Sequence, residues 1–257
     1  MDVRLYCFAH AGAGVSGFGR WQHHCGPGID IVPLPLPGRG SRRREPRTTD
    51  RDGLLADLLG PLADAAGQGP YALYGHSLGA MVAYTLTRAL LDAGRPAPAL
   101  LALGACPAPH TPARTTAPDD ISDTQLLSFV GTLDAAPGGP LAGGGSIWHR
   151  TVLPVLRDDL TLARALRAAA VDDDAARGPL PVPVLAVGGR EDPVVGPAAL
   201  DGWQQWTSDR LVRRTVPGDH FFVHRPELPR LLGQACRAAH RAAQRAAPAP
   251  RPAAGHP

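Results

Sequence analysis

The sequence predicts an α/β fold: a mostly parallel central sheet with helices on both faces. Two observations predict it. Short apolar runs of strand length alternate with stretches of helical periodicity along most of the chain, and such alternation builds parallel sheets through crossover helices. One of these runs, Tyr71-Ala72-Leu73-Tyr74, passes through Gly75-x-Ser77-x-Gly79 straight into a helix-forming segment, a strand–turn–helix joint with a serine at its apex. At 257 residues the chain is long enough to bury a sizeable core.

Taken in order, residues 3–8 read as a buried strand that runs into the small-residue loop His10-Ala11-Gly12-Ala13-Gly14. Residues 18–25 read as a short helix, 30–36 as a second strand ended by Pro35 and Pro37, and 38–51 as a basic loop. Leu54, Leu55, Leu58, Leu59 and Leu62 recur at helical spacing, so 54–66 is expected to be a helix. The strand 72–74 and the helix 79–91 follow, the helix ended by Gly94 and Pro96. A further strand spans 99–104. There the alternation stops. Residues 107–118 are rich in Pro and Thr, 122–130 look helical with Ser122 or Asp123 as cap, 131–146 form a Gly/Pro loop, and 148–156 and 158–169 read as two more helices. With no strand evident there, 107–177 is expected to be a helical insertion over the site, a lid. Strand 182–187, helix 197–206, strand 211–216 and helix 226–245 resume the pattern. The core is thus expected at 1–106 and 178–246, and the Pro/Ala-rich residues 247–257 as a disordered tail.

Composition excludes several function classes. No apolar run approaches the ~18 residues of a membrane span, and Met1-Asp2-Val3-Arg4 lacks the features of a signal peptide. A cytoplasmic protein, expected to be monomeric, is the reading. The net charge is only +3, and every Lys/Arg cation is an arginine. The positive charge lies on no recognition helix or aromatic platform, so no nucleic acid is expected. Cys7, Cys25, Cys106 and Cys236 are scattered without a CxxC pair, which argues against both a metal site and a disulfide framework.

The chemistry concentrates after the strands. In the Gly75–Gly79 turn, the serine must take an unfavourable backbone conformation, and side-chain-free neighbours let strand and helix approach. The Ser77 hydroxyl is then presented at the sheet's C-terminal edge, and the Leu78 amide at the helix start can stabilise an oxyanion. A nucleophilic serine needs a base, and the base an orienter. Gly188-Gly189-Arg190-Glu191-Asp192 follows one later strand and Pro217-Gly218-Asp219-His220 another. The order Ser77, Asp192, His220 is that of the α/β-hydrolase triad. Asp192 is preferred over Glu191 by its register in the loop, and Asp219, next to His220, is poorly placed to orient it. His76 diverges from the serine and is expected to pack or hydrogen-bond. His10 is expected to shape its loop, whose Ala11 amide supplies a second oxyanion donor.

With these residues in place the chain resembles the stand-alone type II thioesterases of polyketide and nonribosomal peptide assembly lines. The resemblance runs over nearly the whole chain. It is carried by Leu5 to Gly12, by Leu36-Pro37-Gly38-Arg39 with Arg42, Glu45 and Pro46, by the elbow Tyr71 to Ala80, and by the segments 185–195 and 217–222. The family pattern departs at Ala9, where proline is usual, and at Gly40, where an acid is common. The resemblance implies an α/β-hydrolase fold and hydrolysis of acyl thioesters held on phosphopantetheinyl carrier proteins, with no cofactor of the enzyme's own. Release of starter units or finished products, and general carboxylester hydrolysis, are the alternatives. Arg39, Arg42, Arg43 and Arg44 head a basic cluster that is a candidate contact for an acidic carrier protein or the pantetheine phosphate; a solvated loop in an arginine-biased sequence is the competing reading.

Overall fold

The computed structural model describes residues 2–111, 122, 123, 126 and 152–246. Strands β1 (Val3–Phe8), β2 (Ile29–Pro33), β3 (Tyr71–His76), β4 (Leu101–Gly104), β5 (Val184–Gly189) and β6 (Leu211–Val216) form one parallel sheet in the order β2-β1-β3-β4-β5-β6. The α-helices among the described residues are α1 (Arg51–Ala66), α2 (Leu78–Asp92), α3 (Leu153–Ala169) and α4 (Glu227–Ala246). The architecture is the α/β one read from the alternation.

Side-chain alternation along the strands divides the core. In β1, Leu5 and Cys7 pack with Phe18, Trp21, Leu228 and Leu232 on one face. Tyr6 and Phe8 pack on the other with Leu54, Leu58, Leu162 and Leu166, from α1 and α3. Both faces are covered, which is why the strands are nearly continuous apolar runs. Helix α2 is buried from Leu78 to Leu90. All four cysteines are buried and free.

The register aligns the strand ends where the site forms. Phe8 pairs with Gly75, His76 with Gly104, and Gly104 with Val187. The chain reverses its direction of advance across the sheet at β1, with β2 on one side and β3 on the other. Loops leaving β1 and β3 therefore diverge to opposite faces and open a crevice at the C-terminal edge, the general ligand position in such sheets.

Some expected elements differ. Residues 18–25 form no single helix; two 3-10 turns, Val15–Phe18 and Trp21–His23, flank Gly19 and seat Phe18 and Trp21 in the core. The break expected at residue 157 is absent: α3 runs unbroken from Leu153 to Ala169, since its one proline, Pro154, stands in the first turn, where it is tolerated, and Asp159 is buried within it. Residues 197–206 wind as a 3-10 helix, with Pro197 at the start and Gly202 inside. The helix expected at 122–130, apart from Ser122, Asp123 and Leu126, the loop at 131–146, the start of the helix expected at 148–156 and the tail at 247–257 lie outside the described residues.

The joint between β3 and α2 brings backbone against backbone. A Cβ on Gly75 would overlap the carbonyl of Gly79, and one on Gly79 would overlap the carbonyl of Phe8. Helix α2 thus sits directly against the backbone of β1 and β3. Gly79→Ala is expected to cost about 1–3 kcal/mol by overpacking and to reduce turnover, because any retreat of α2 also moves Ser77. Thermal unfolding and kcat check this; an alanine variant with wild-type values for both would contradict the close approach.

Candidate active site

Ser77 occupies the apex of the joint, with φ 55° and ψ −113°. Positive φ is rare for a residue with a Cβ and costs energy that surrounding structure must supply. Here the Ser77 amide donates to the Gly104 carbonyl at 2.7 Å, and the Ala80 amide to the Ser77 carbonyl at 2.9 Å. Those bonds fix the backbone on both sides and leave the hydroxyl at the sheet edge.

Two later loops meet it. Ser77 Oγ lies 3.2 Å from His220 Nε2, and His220 Nδ1 lies 2.9 Å from Asp192 Oδ2. An ionised carboxylate only accepts, so Nδ1 carries the proton and Nε2 is open to accept from the serine. Asp192 Oδ1 accepts from the amides of Val194 at 2.8 Å and Val195 at 3.0 Å. Burial alone would raise its carboxyl, but the His220 contact and the two amides outweigh burial and hold it below its ordinary value. The neighbouring acids are engaged elsewhere. Glu191 Oε2 accepts from the Gly218 amide at 2.5 Å, and Asp219 Oδ1 accepts from the Phe221 amide at 2.8 Å.

His76 supports the base from behind. It is completely buried. Its Nε2 lies 2.7 Å from the His220 carbonyl, and its Nδ1 lies 2.7 Å from the Tyr74 hydroxyl. A carbonyl only accepts, so Nε2–H donates to it and Nδ1 accepts from Tyr74. Burial, with the nearby His10 and His220, keeps the His76 imidazole well below its ordinary value, so this neutral tautomer persists. His10 packs on Phe221 at 5.0 Å between ring centres and borders a cavity of about 280 Å³ with Gly12, Ser16, Phe18 and His224. Burial, together with His220 and His224, lowers its imidazole to about 3, so it carries no charge at neutral pH.

The loop after β1 closes as a turn: the Ala13 amide donates to the His10 carbonyl at 3.1 Å, and Gly12, third in the turn, has φ +79°, as a type II turn requires. Ala11, whose amide was expected to face an oxyanion, packs against Leu126, Leu153 and Leu156. Leu78, the other expected donor, opens α2, where the first amides have no partner within the helix.

Arg39 and Arg42, expected as carrier contacts, both have acidic partners within the chain. Arg39 is buried and grips Asp159 of α3 in a two-pronged ion pair, with Nη1 at 2.7 Å from Oδ2. Arg42 is held by Glu45 and by Asp57, the latter at 2.7 Å from Nη1. Arg47 pairs with Asp158 at 2.5 Å, and Arg51 with Asp173 at 3.2 Å. Much of the basic loop is thus the counter-surface of α3 and the turn after it. Arg43 and Arg44 are exposed. The signal for Asp159 was an acid on the stripe of Leu153, Leu156, Leu162 and Leu166, all buried in α3. Burial raises the Asp159 carboxyl above its ordinary value, against the pull of Arg39 and the Gly12 amide.

Among the described residues no cluster of His, Cys, Asp or Glu is arranged to hold a metal, and no helix is long and apolar enough to cross a membrane. A depressed carboxyl stabilises the fold above its unfolded-state value, here 3.8, and that contribution is lost as pH falls through the lower folded-state value. The melting-temperature gap between wild type and Asp192→Asn should therefore be full above about pH 5 and shrink steadily below about pH 4. A gap that does not vary with pH would contradict this.

The thioesterase domain family model matches residues 3–237. The chain is similar to the solved RedJ thioesterase of the prodiginine biosynthetic pathway in Streptomyces coelicolor, with TM-score 0.79, 32% identity, and 91% of this chain and 90% of that one covered. It is similar to the type II thioesterase BorB from the borrelidin biosynthetic cluster, with TM-score 0.76, 28% identity, and 92% and 94% covered. The gramicidin S biosynthesis protein GrsT of Aneurinibacillus migulanus is 28% identical over 225 residues, which cover 86% of this chain and 83% of GrsT. By the family match over nearly its whole length, this chain belongs to the thioesterase family.

Proposed function

We propose that the chain is an editing thioesterase of the type II class, which hydrolyses acyl thioesters from the phosphopantetheine arms of carrier proteins in a polyketide or nonribosomal peptide assembly line. The observation that carries the reading is the Ser77–His220–Asp192 relay on the positive-φ elbow of a thioesterase-family chain. Relatives named for prodiginine, borrelidin and gramicidin S biosynthesis support a carrier-bound substrate.

The steps follow from the geometry. Ser77 Oγ attacks the thioester carbonyl as its proton passes to His220 Nε2. The carbonyl oxygen becomes an oxyanion held by the amides of Leu78 and Ala11. Collapse breaks the C–S bond, and His220 returns the proton to the departing sulfur. Water then attacks the acyl-Ser77 ester, giving its proton to His220, which passes it to Ser77 as the carboxylic acid leaves. Asp192 holds the imidazole tautomer throughout, and His76 fixes the backbone of the base. The sequence of steps consumes one water and uses no cofactor.

Intact-mass measurement on a panel of acyl carrier proteins, with free acyl esters alongside, tests the reading. Wild type is expected to clear short acyl groups from carriers rapidly, and Ser77→Ala to lose at least about 10³-fold in rate. Carrier thioesters that survive while oxygen esters are cleaved would leave only a general esterase.

Arg43 and Arg44 are the exposed remainder of the basic loop and the proposed contact for an acidic carrier surface. Their double replacement by alanine should raise KM for carrier-bound substrate several-fold at low salt and leave small soluble thioesters unaffected. Equal effects on both substrates would sink this contact.

A further inference from the structure

Helix α3 reaches the loop after β1 through one buried ion pair. Asp159 Oδ2 accepts from the Gly12 amide at 2.7 Å, and the same oxygen accepts from Arg39 Nη1, also at 2.7 Å. Arg39 Nη1 in turn lies 3.3 Å from the Ala13 carbonyl. The pair thus holds the His10–Ala13 turn by one amide and one carbonyl. Apolar contact reinforces it: Leu153 and Leu156 of α3 pack against Ala11.

The amide gripped by Asp159 belongs to the central peptide of the turn, the one between Ala11 and Gly12. A turn with positive φ at its third residue differs from its type I counterpart chiefly by a flip of that peptide. The flip would turn the Ala11 carbonyl toward the place now held by the Gly12 N–H. A carboxylate there accepts from the amide and would repel the carbonyl. Asp159 therefore favours one of the two states, and with Arg39 on the Ala13 carbonyl it anchors the turn, Ala11 included, against α3.

We infer that Asp159, paired with Arg39, is a positioning residue of the reaction: by gripping the Gly12 amide it anchors the His10–Ala13 turn against α3 and so holds the neighbouring Ala11 amide in its place at the oxyanion. Helix α3 is then a structural part of the oxyanion hole as well as a cover. Arg39 opposes the rise that burial imposes on the carboxyl and braces the far side of the turn. The inference rests on the proposed acyl-enzyme reading, in which Ala11 and Leu78 hold the oxyanion.

Two double variants test it, both lacking the buried charges. Asp159→Asn with Arg39→Met retains a side-chain oxygen for the Gly12 amide; Asp159→Ala with Arg39→Met does not. On a soluble acyl thioester the alanine pair is expected to lose about 10–100-fold in kcat, less than the roughly 10²–10³-fold lost on deleting an oxyanion donor outright, with KM within about twofold. The asparagine pair should return kcat to within about threefold of wild type. Affinity for a boronic acid, which forms a tetrahedral adduct with serine, should fall in step with kcat, while that for an unreactive thioether analogue stays constant. Equal kcat for the two folded double variants would overturn the inference, as would a loss seen in KM alone. Should the alanine pair not fold, Asp159→Glu keeps the charge and displaces the acceptor; it is expected to lose kcat at constant KM, and wild-type kcat there would also overturn the inference. Wild type assayed in parallel separates the two readings: its own failure to turn over acyl thioesters, or Ser77-independent turnover, counts against the function, not the clamp.

Discussion

Everything at the site depends on one close contact of backbones, the seating of α2 against β1 and β3. Two glycines permit it, because a Cβ at Gly75 or Gly79 would overlap a carbonyl. The contact forces Ser77 into positive φ and brings the start of α2 beside the loop after β1. Ser77 and the start of α2 thereby lie next to the end of β1 and the loop that leaves it. The conformational cost at Ser77 is local and is borne by a helix buried along nearly its whole length. Such strain persists only where the surroundings over-determine it.

Around that contact the site is built in two layers. The inner layer is the relay of Ser77, His220 and Asp192, each at the end of a parallel strand. The outer layer holds the inner one still. Two amides orient Asp192, His76 binds the backbone of His220, and Asp159 binds the turn that carries Ala11. Neutral, buried His76 illustrates the logic: a histidine that cannot take a proton at working pH is a rigid hydrogen-bonding strut, not a competing base.

The inner layer was legible in the sequence because its signals are local. A strand followed by Gly-x-Ser-x-Gly, or by an acid or a histidine at a strand end, can be read within ten residues. Neighbouring candidates fell out by geometry, since Glu191 binds the Gly218 amide of the facing loop and Asp219 the Phe221 amide of its own. The outer layer was not legible. Arg39 and Asp159 are 120 residues apart, and a run of arginines next to a Pro-Gly turn reads as a solvated or partner-facing surface until its partners are placed. The same non-locality hid the single course of α3: its Arg157-Asp158-Asp159 segment looks like a polar break, yet Asp159 turns inward to a partner from another loop. Residues 18–25 failed for a different reason, Gly19 separating two short turns where one helix was expected.

The buried cysteines acquire a meaning from the proposed chemistry. Each turnover on a pantetheine thioester sets free a thiol, a reagent for exchange with any accessible disulfide and a partner for any reactive cysteine. Exchange requires thiolate. Burial raises Cys25 and Cys106 to about 11 and Cys236 to about 12, and moves Cys7 in the same direction. All four are therefore protonated as well as enclosed, and none offers the released arm a sulfur to couple with. On the proposed chemistry, this burial keeps the four thiols away from the arms that each turnover releases.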